Sequence, residues 1–210
     1  MGSIISQEGL AKALDWAYDK AVNGVPGLGT AEELAQDYLS RSGSRESCVE
    51  SLINWQVAKC ATSGFITGLG GAVMMPVTIP ANISSVLYVQ VKMIAAIAHI
   101  GGHDIRCDQV KSMVYLSLCG QSAANVAKEV GIEAGKRAGM LVIKKIPGEA
   151  IKAINKAVGF RLITKFGNKG VVNLGKGIPG IGGLVGAGFD GFTTRKIGKT
   201  AKKIFIDQQL

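Results

Sequence analysis

The sequence predicts an all-α protein, a compact multi-helix bundle built around a central apolar, glycine-rich helical hairpin. Apolar residues recur at helical spacing along most of the chain, and no alternating strand pattern longer than four residues stands out. Between Lys59 and Lys92, 32 residues carry no formal charge. Hydrophobic residues make up 47% of the 210 residues and charged ones 19%, which excludes intrinsic disorder. We expect an N-terminal amphipathic helix and linker over 1–29 and one helical domain over 30–210.

The first helix is predicted over residues 6–23, where one face collects Leu10, Ala13, Leu14 and Ala17. Thr30 and Glu33 have the spacing of a capping box, which predicts a short helix ending near Leu39. A further helix is expected from Arg45 into the apolar block.

The next helix is predicted over about 80–100, with Pro80 at its start and Gly101-Gly102 at its end. Its polar residues form one narrow stripe, namely Ser85, Tyr88, Lys92 and His99. A helix so nearly apolar all round lies either at the centre of a bundle or against lipid.

The uncharged block 60–91 is long enough to cross a bilayer, which takes about 20 apolar residues. Pro76 and Pro80 interrupt it, so a broken pair of helices fits better than a continuous span. Two interpretations remain open, a buried core hairpin and a conditionally inserted one. In the buried hairpin, Gly68 and Gly71 permit close helix contact.

Residues 107–140 are expected to continue as helix, before Ile146-Pro147-Gly148 marks a break and a new start. Within this stretch Gly131, Gly135 and Gly139 recur every four residues. This spacing suits either a glycine zipper in lipid or a tightly packed soluble helix pair.

Charge is distributed unevenly: residues 1–127 hold 8 basic and 10 acidic residues, whereas 128–203 hold 16 basic and 4 acidic. The excess predicts an anionic partner for the second half. Aromatic residues there follow no nucleic-acid-binding motif, so anionic lipid is favoured over nucleic acid. A solvated lysine-rich face is the alternative. The candidate membrane-binding residues are Lys145, Lys152, Lys156, Arg161, Lys165, Lys169, Lys199, Lys202 and Lys203.

Candidate chemical groups are few. Asp190 is the one charge between Lys176 and Arg195, so we expect it to cap, pair or serve a function. His99 and His103 could share a helix face only if the helix ran through Gly101-Gly102, so a core or capping role is favoured over metal binding. Neither a metal site nor a cofactor site is predicted. The four cysteines lack zinc-site spacing and are expected to be buried thiols.

Several segments together resemble the EcsC protein family. The central ones are Ala58–Gly71, Pro76–Pro80 and Tyr88–Ala98, and the C-terminal ones are Ile178–Gly183, Phe189-Asp190, Thr194 and Ile197–Ala201. The resemblance spans about residues 30–207. It implies a bacterial, largely helical protein at the cytosolic face, close to a membrane, and it transfers no catalytic residue.

The leading hypothesis is therefore a non-enzymatic, cytoplasmic protein that binds the anionic inner membrane surface through basic residues of 136–176 and 195–203. A membrane-protein partner is a further expectation. The alternative is a membrane-disrupting effector in which 60–91 inserts. A third hypothesis is a lipid-acting enzyme that uses Asp190 or His103 as acid or base.

Overall fold

The computed structural model describes residues 6–41, 43–61, 81–132, 143–166 and 182–209. Within these ranges the chain is helical and holds no β-strand, so the all-α class is confirmed. The helices are α1 (Gln7–Asn23), α2 (Ala31–Arg41), α3 (Arg45–Ala61), α4 (Ala81–Ile100), α5 (Asp108–Ser117), α6 (Ala123–Glu129), α7 (Gly148–Phe166) and α8 (Gly182–Phe205). A 3₁₀ turn, Gly120–Ser122, separates α5 from α6.

Both N-terminal helices begin at side-chain caps. The Ser6 hydroxyl accepts a hydrogen bond from the Gly9 amide at 3.0 Å. The Glu33 amide donates to Thr30 Oγ1 at 3.0 Å, and the Thr30 amide donates to Glu33 Oε2 at 2.8 Å. The predicted capping box is confirmed. Because the caps satisfy amides that have no partner within the helix, they determine where α1 and α2 begin.

Helix α1 packs into the same core as the rest of the chain. Its predicted apolar face is buried, with Leu10, Ala13 and Ala17 at 0% exposure. Near its C-terminal end, the Tyr18 hydroxyl donates to the main-chain oxygen of Ile105 at 2.6 Å. Helices α4 and α7 both pack against α1.

Helix α4 lies at the centre of the described bundle, which is one of the two placements that its apolar surface allowed. Helices α1, α2, α3, α5 and α8 all contact it. Even its predicted polar stripe is largely covered, since Ser85 and Tyr88 are each 2% exposed. The chain leaves the helix at Gly102, whose φ of +83° favours glycine. The proposed partner arm of the hairpin, with Gly68 and Gly71, lies outside the described residues, and so does Pro80, the predicted start of α4.

The prediction of continuous helix over 107–140 was wrong. Helix α5 ends at Ser117 and α6 at Glu129, and Gly120 and Gly131 have φ values of +56° and +77°. A right-handed helix requires negative φ, so neither glycine can lie inside one. Gly131 therefore cannot begin a helical glycine zipper. Gly135 and Gly139 lie outside the described residues.

Helix α7 begins at Gly148, directly after the predicted break, and packs on α1 and α5. Helix α8 runs antiparallel to α3, because Lys202 pairs with Glu50 while Gly198, four residues earlier, faces Ile53. Gln90 Nε2 of α4 donates to Thr194 Oγ1 of α8 at 3.0 Å within the core. These contacts fix the outward faces of α7 and α8.

Candidate functional site

The outward face of α7 carries two of the predicted lysines, Lys152 and Lys156, one turn apart and both exposed. Phe160 continues the row and is 66% exposed. We refer to Lys152, Lys156 and Phe160 as the α7 stripe. Lys145, in the turn before α7, is exposed as well.

A second basic row runs along α8. Phe192, Arg195, Lys199 and Lys203 are all exposed and recur at intervals of three and four residues. We refer to these four residues as the α8 stripe. Phe192 is 58% exposed, and Lys196 Nζ lies 4.2 Å from the centroid of its ring. The sequence between 191 and 203 contains no acidic residue, so this face of α8 is purely cationic.

Two of the predicted basic residues are engaged in ion pairs. Arg161 Nη2 lies 2.7 Å from Glu129 Oε1, and Lys202 Nζ lies 2.9 Å from Glu50 Oε1. The hydrogen bond that Lys202 donates to Glu50 raises the pKa of Lys202. Both cations are therefore less available to an external anion than Lys199 and Lys203. The side chain of Lys165 and the whole of Lys169 lie outside the described residues.

The 3₁₀ turn lies between the two stripes. Lys196 Nζ donates to Gln121 Oε1 at 3.0 Å, which fastens α8 to one side of the turn. An open cleft of about 510 Å³ separates the turn from α7. The cleft is lined by Leu118, Cys119 and Ser122 from the turn region and by Phe160, Leu162 and Thr164 from α7, with the Arg161–Glu129 pair beside them. The stripes therefore border a shared surface.

The two histidines lie apart from this surface and on different segments. His99 is half-buried in the last turn of α4. His103 is 4% exposed, follows the end of α4, and its Nε2 donates to the Phe205 carbonyl at 3.2 Å. Burial lowers the pKa of His103. The break at Gly101-Gly102 thus removes the shared helical face, as expected. Asp190 belongs to the helical backbone of α8, and its side chain lies outside the description.

Lys92 holds the loop between α1 and α2 against α4. Its ammonium donates to the main-chain oxygens of Leu28 and Gly29, the latter at 2.9 Å. Burial, reinforced by the charge of Lys59, lowers the pKa of Lys92 to about 8. The Tyr88 ring lies beneath it at 6.0 Å from Nζ. Lys92 therefore links the N-terminal helices to the central one.

Metal clusters and membrane-spanning helices are two features not found in the part of the chain described. No group of three or more His, Cys, Asp or Glu side chains there could hold a metal ion. None of the described helices is both long and apolar enough to cross a membrane. Cys48 and Cys60 are buried thiols as predicted, whereas Cys107 and Cys119 are only half-buried.

Sequence reasoning did not identify the two exposed phenylalanines. A signal was present, because Phe192 stands three, seven and eleven residues before Arg195, Lys199 and Lys203, and Phe160 stands four after Lys156. The same spacing also suits a phenylalanine at the edge of the core. Only the packing of the neighbouring helices distinguishes the two placements.

Comparison with known proteins identifies the family. The model of the EcsC protein family matches residues 32–206, which is most of the chain. The protein therefore belongs to the EcsC protein family, and the resemblance read from its segments is confirmed. No curated protein and no solved structure matched the chain.

Proposed function

We propose that this member of the EcsC family is a non-enzymatic, cytoplasmic protein that associates peripherally with an anionic membrane surface. The observation that carries the proposal is that α7 and α8 each combine exposed cations with an exposed phenylalanine. Cations attract anionic headgroups, and aromatic side chains bury apolar surface at the headgroup boundary. An anionic lipid surface is the class of partner that binds both the exposed cations and the exposed aromatic rings.

The expected strength follows from the number of exposed cations. The two stripes contribute Lys152, Lys156, Arg195, Lys199 and Lys203. Each cation near an anionic surface contributes about 1 kcal/mol. These contributions add up only while all five cations reach the surface. Peripheral association of this kind is reversible, unlike the insertion of a transmembrane helix.

Co-sedimentation with vesicles tests the proposal. The protein should pellet with vesicles of mixed phosphatidylcholine and phosphatidylglycerol and remain in solution with phosphatidylcholine alone. Reversing Lys152, Lys156, Lys199 and Lys203 to Glu should abolish pelleting. The matched control reverses Lys12, Lys20, Arg41 and Arg45, which makes the same change in net charge on α1, α2 and the start of α3.

Two outcomes would refute the proposal: equal pelleting with neutral vesicles, or equal loss in the control and the stripe variant. The membrane-disrupting alternative is separated by dye release from the same vesicles. The side chains of the uncharged block that the structure describes, Cys60 and residues 84–91, are buried. Binding without dye release is therefore the expected result.

A further inference from the structure

The α7 and α8 stripes are connected by contacts through the 3₁₀ turn. An ideal Cβ on Gly120 would lie 3.9 Å from Lys196 Cβ, and Gln121 accepts a hydrogen bond from Lys196. Cys119 and Ser122 of the same segment line the cleft whose opposite side is formed by Phe160. Phe160 therefore faces the turn across the cleft, and Phe192 is connected to the same turn through Lys196, whose ammonium lies over its ring.

The third large exposed aromatic, Trp55, has a different position. It is 55% exposed on α3, the helix that meets α8 through Glu50 and Ile53. At 3.6 residues per turn, Trp55 lies about 200° around α3 from Ile53. The Trp55 side chain therefore projects from the side of α3 opposite to α8. It also points away from the 3₁₀ turn, which packs against α8.

Charge also distinguishes this surface. The stripe cations Lys152, Lys156, Arg195, Lys199 and Lys203 lie on it, with Lys196 beside Phe192. Among the residues lining the cleft, the acidic one is Glu129, which is paired with Arg161 at 2.7 Å. A planar anionic surface could meet these cations without facing an unpaired carboxylate in the cleft.

We infer that the two stripes and the 3₁₀ turn form one docking surface for an anionic phospholipid bilayer, with Phe160 and Phe192 entering the headgroup region on either side of the turn. This inference rests on the proposed function and adds the orientation of the protein on the membrane. Aromatic rings are favoured at the boundary between headgroups and acyl chains. Trp55 remains in water in this orientation.

Tryptophan fluorescence tests the orientation directly, because Trp16 and Trp55 are the two tryptophans in the chain. Trp16→Phe leaves Trp55 as the reporter. Trp16→Phe with Trp55→Phe and either Phe160→Trp or Phe192→Trp places the reporter on the proposed surface. Each protein is mixed with phosphatidylglycerol vesicles that contain brominated phosphatidylcholine. Both surface reporters should shift to shorter wavelength and be quenched by the brominated chains, whereas Trp55 should change little.

A second measurement does not depend on the tryptophan substitutions. Phe160→Ala and Phe192→Ala should each weaken vesicle binding by about tenfold, the loss expected for an apolar side chain that leaves water on binding. Trp55→Ala is the matched control and should bind like the parent protein. Melting curves in buffer establish that each variant is folded.

The outcomes separate this inference from the proposed function. Pelleting with anionic vesicles combined with quenching of Trp55, or with quenching of only one surface reporter, would overturn the docking surface and leave the proposed function intact. Pelleting that is unaffected by both alanine substitutions would do the same. Absence of pelleting with every vesicle would overturn both.

Discussion

The Nε2 atom of His103 donates a hydrogen bond to the main-chain oxygen of Phe205 at 3.2 Å, which joins the turn after α4 to the last residue of α8. The two rings also meet edge to face, with centroids 5.2 Å apart. Gly101 lies directly against the same oxygen, which a Cβ at that position would strike. This close approach holds the C-terminal end of α8 against the central helix.

Acidification should destabilise the folded protein through His103. Burial lowers the pKa of His103 from its ordinary 6.5 and outweighs the hydrogen bond to Phe205, which raises it, while the charge of Lys144 lowers it further. The unfolded chain therefore binds a proton near pH 6.5 while the folded protein resists it, so stability is lost as pH falls below that value. Urea unfolding at pH 7.5 and pH 5.5 should show this loss for the parent protein and a smaller one for His103→Gln. An equal loss of stability in the parent protein and in His103→Gln would show that His103 is not the source of the pH dependence.

The α3–α8 interface should not tolerate a side chain at Gly198. An ideal Cβ there would lie 2.8 Å and 3.0 Å from the two Cγ atoms of Ile53. Gly198→Ala should therefore lower the free energy of unfolding by about 1–3 kcal/mol through overpacking. Gly148→Ala, where nothing lies within 4 Å, is the control and should not destabilise. If overpacking is the cause, Gly198→Ala should cost less stability in an Ile53→Ala background than in the parent protein, which a double-mutant cycle of urea unfolding measures.

Removing the capping hydroxyl of α2 should destabilise the fold. Thr30→Ala deletes the acceptor for the Glu33 amide, and we expect a loss of about 1 kcal/mol. Thr30→Ser retains the hydroxyl and should stay within a few tenths of a kcal/mol of the parent protein. Chemical denaturation measures the free energy of unfolding of both variants. A Thr30→Ser protein as unstable as Thr30→Ala would show that the methyl group, not the cap, is responsible.

Stability should rise with pH just above neutrality because of Lys92. Its pKa is lowered to about 8, mainly by burial, against an ordinary 10.5. Between these values the unfolded chain binds more protons, so raising the pH favours the folded state. The window closes between about pH 9 and pH 10, since burial raises the pKa of Cys48 and of Tyr18 above their ordinary 9.0 and 10.0 and unfolding there releases their protons. Lys92→Met should flatten the increase between pH 8 and about 9.5, and an unchanged slope would exclude Lys92 as its source.

Membrane association should depend on salt. The Debye length falls from about 10 Å at 0.1 M to about 3 Å at 1 M, so the attraction of the two stripes for anionic headgroups should be largely screened. Vesicle pelleting is expected to drop sharply over this range. Any binding that persists at high salt should disappear in the Phe160→Ala, Phe192→Ala double variant. Salt-independent pelleting would argue against an electrostatic association.

The sequence by itself determined the features that depend on local chemistry. The Thr30–Glu33 cap, the start of α7 after Pro147 and the end of α4 at Gly101-Gly102 follow from residue types a few positions apart. The nearly uniform apolar surface of α4 predicted either the centre of a bundle or contact with lipid, and the packing of five helices on it decided for the centre. The same approach failed over 107–140, because apolar periodicity continues across Gly120 and Gly131 although their positive φ ends the helix.

Only the tertiary structure decided which of the basic and aromatic side chains face solvent. Lys202 and Lys203 are neighbours in sequence, yet Lys202 pairs with Glu50, 152 positions away, while Lys203 is exposed. Phe192 and Phe205 lie on the same helix, yet Phe192 is 58% exposed and Phe205 is 1% exposed. Local spacing defines the faces of a helix. Which face is covered depends on contacts between residues distant in the chain, and those contacts form only when the helices pack together.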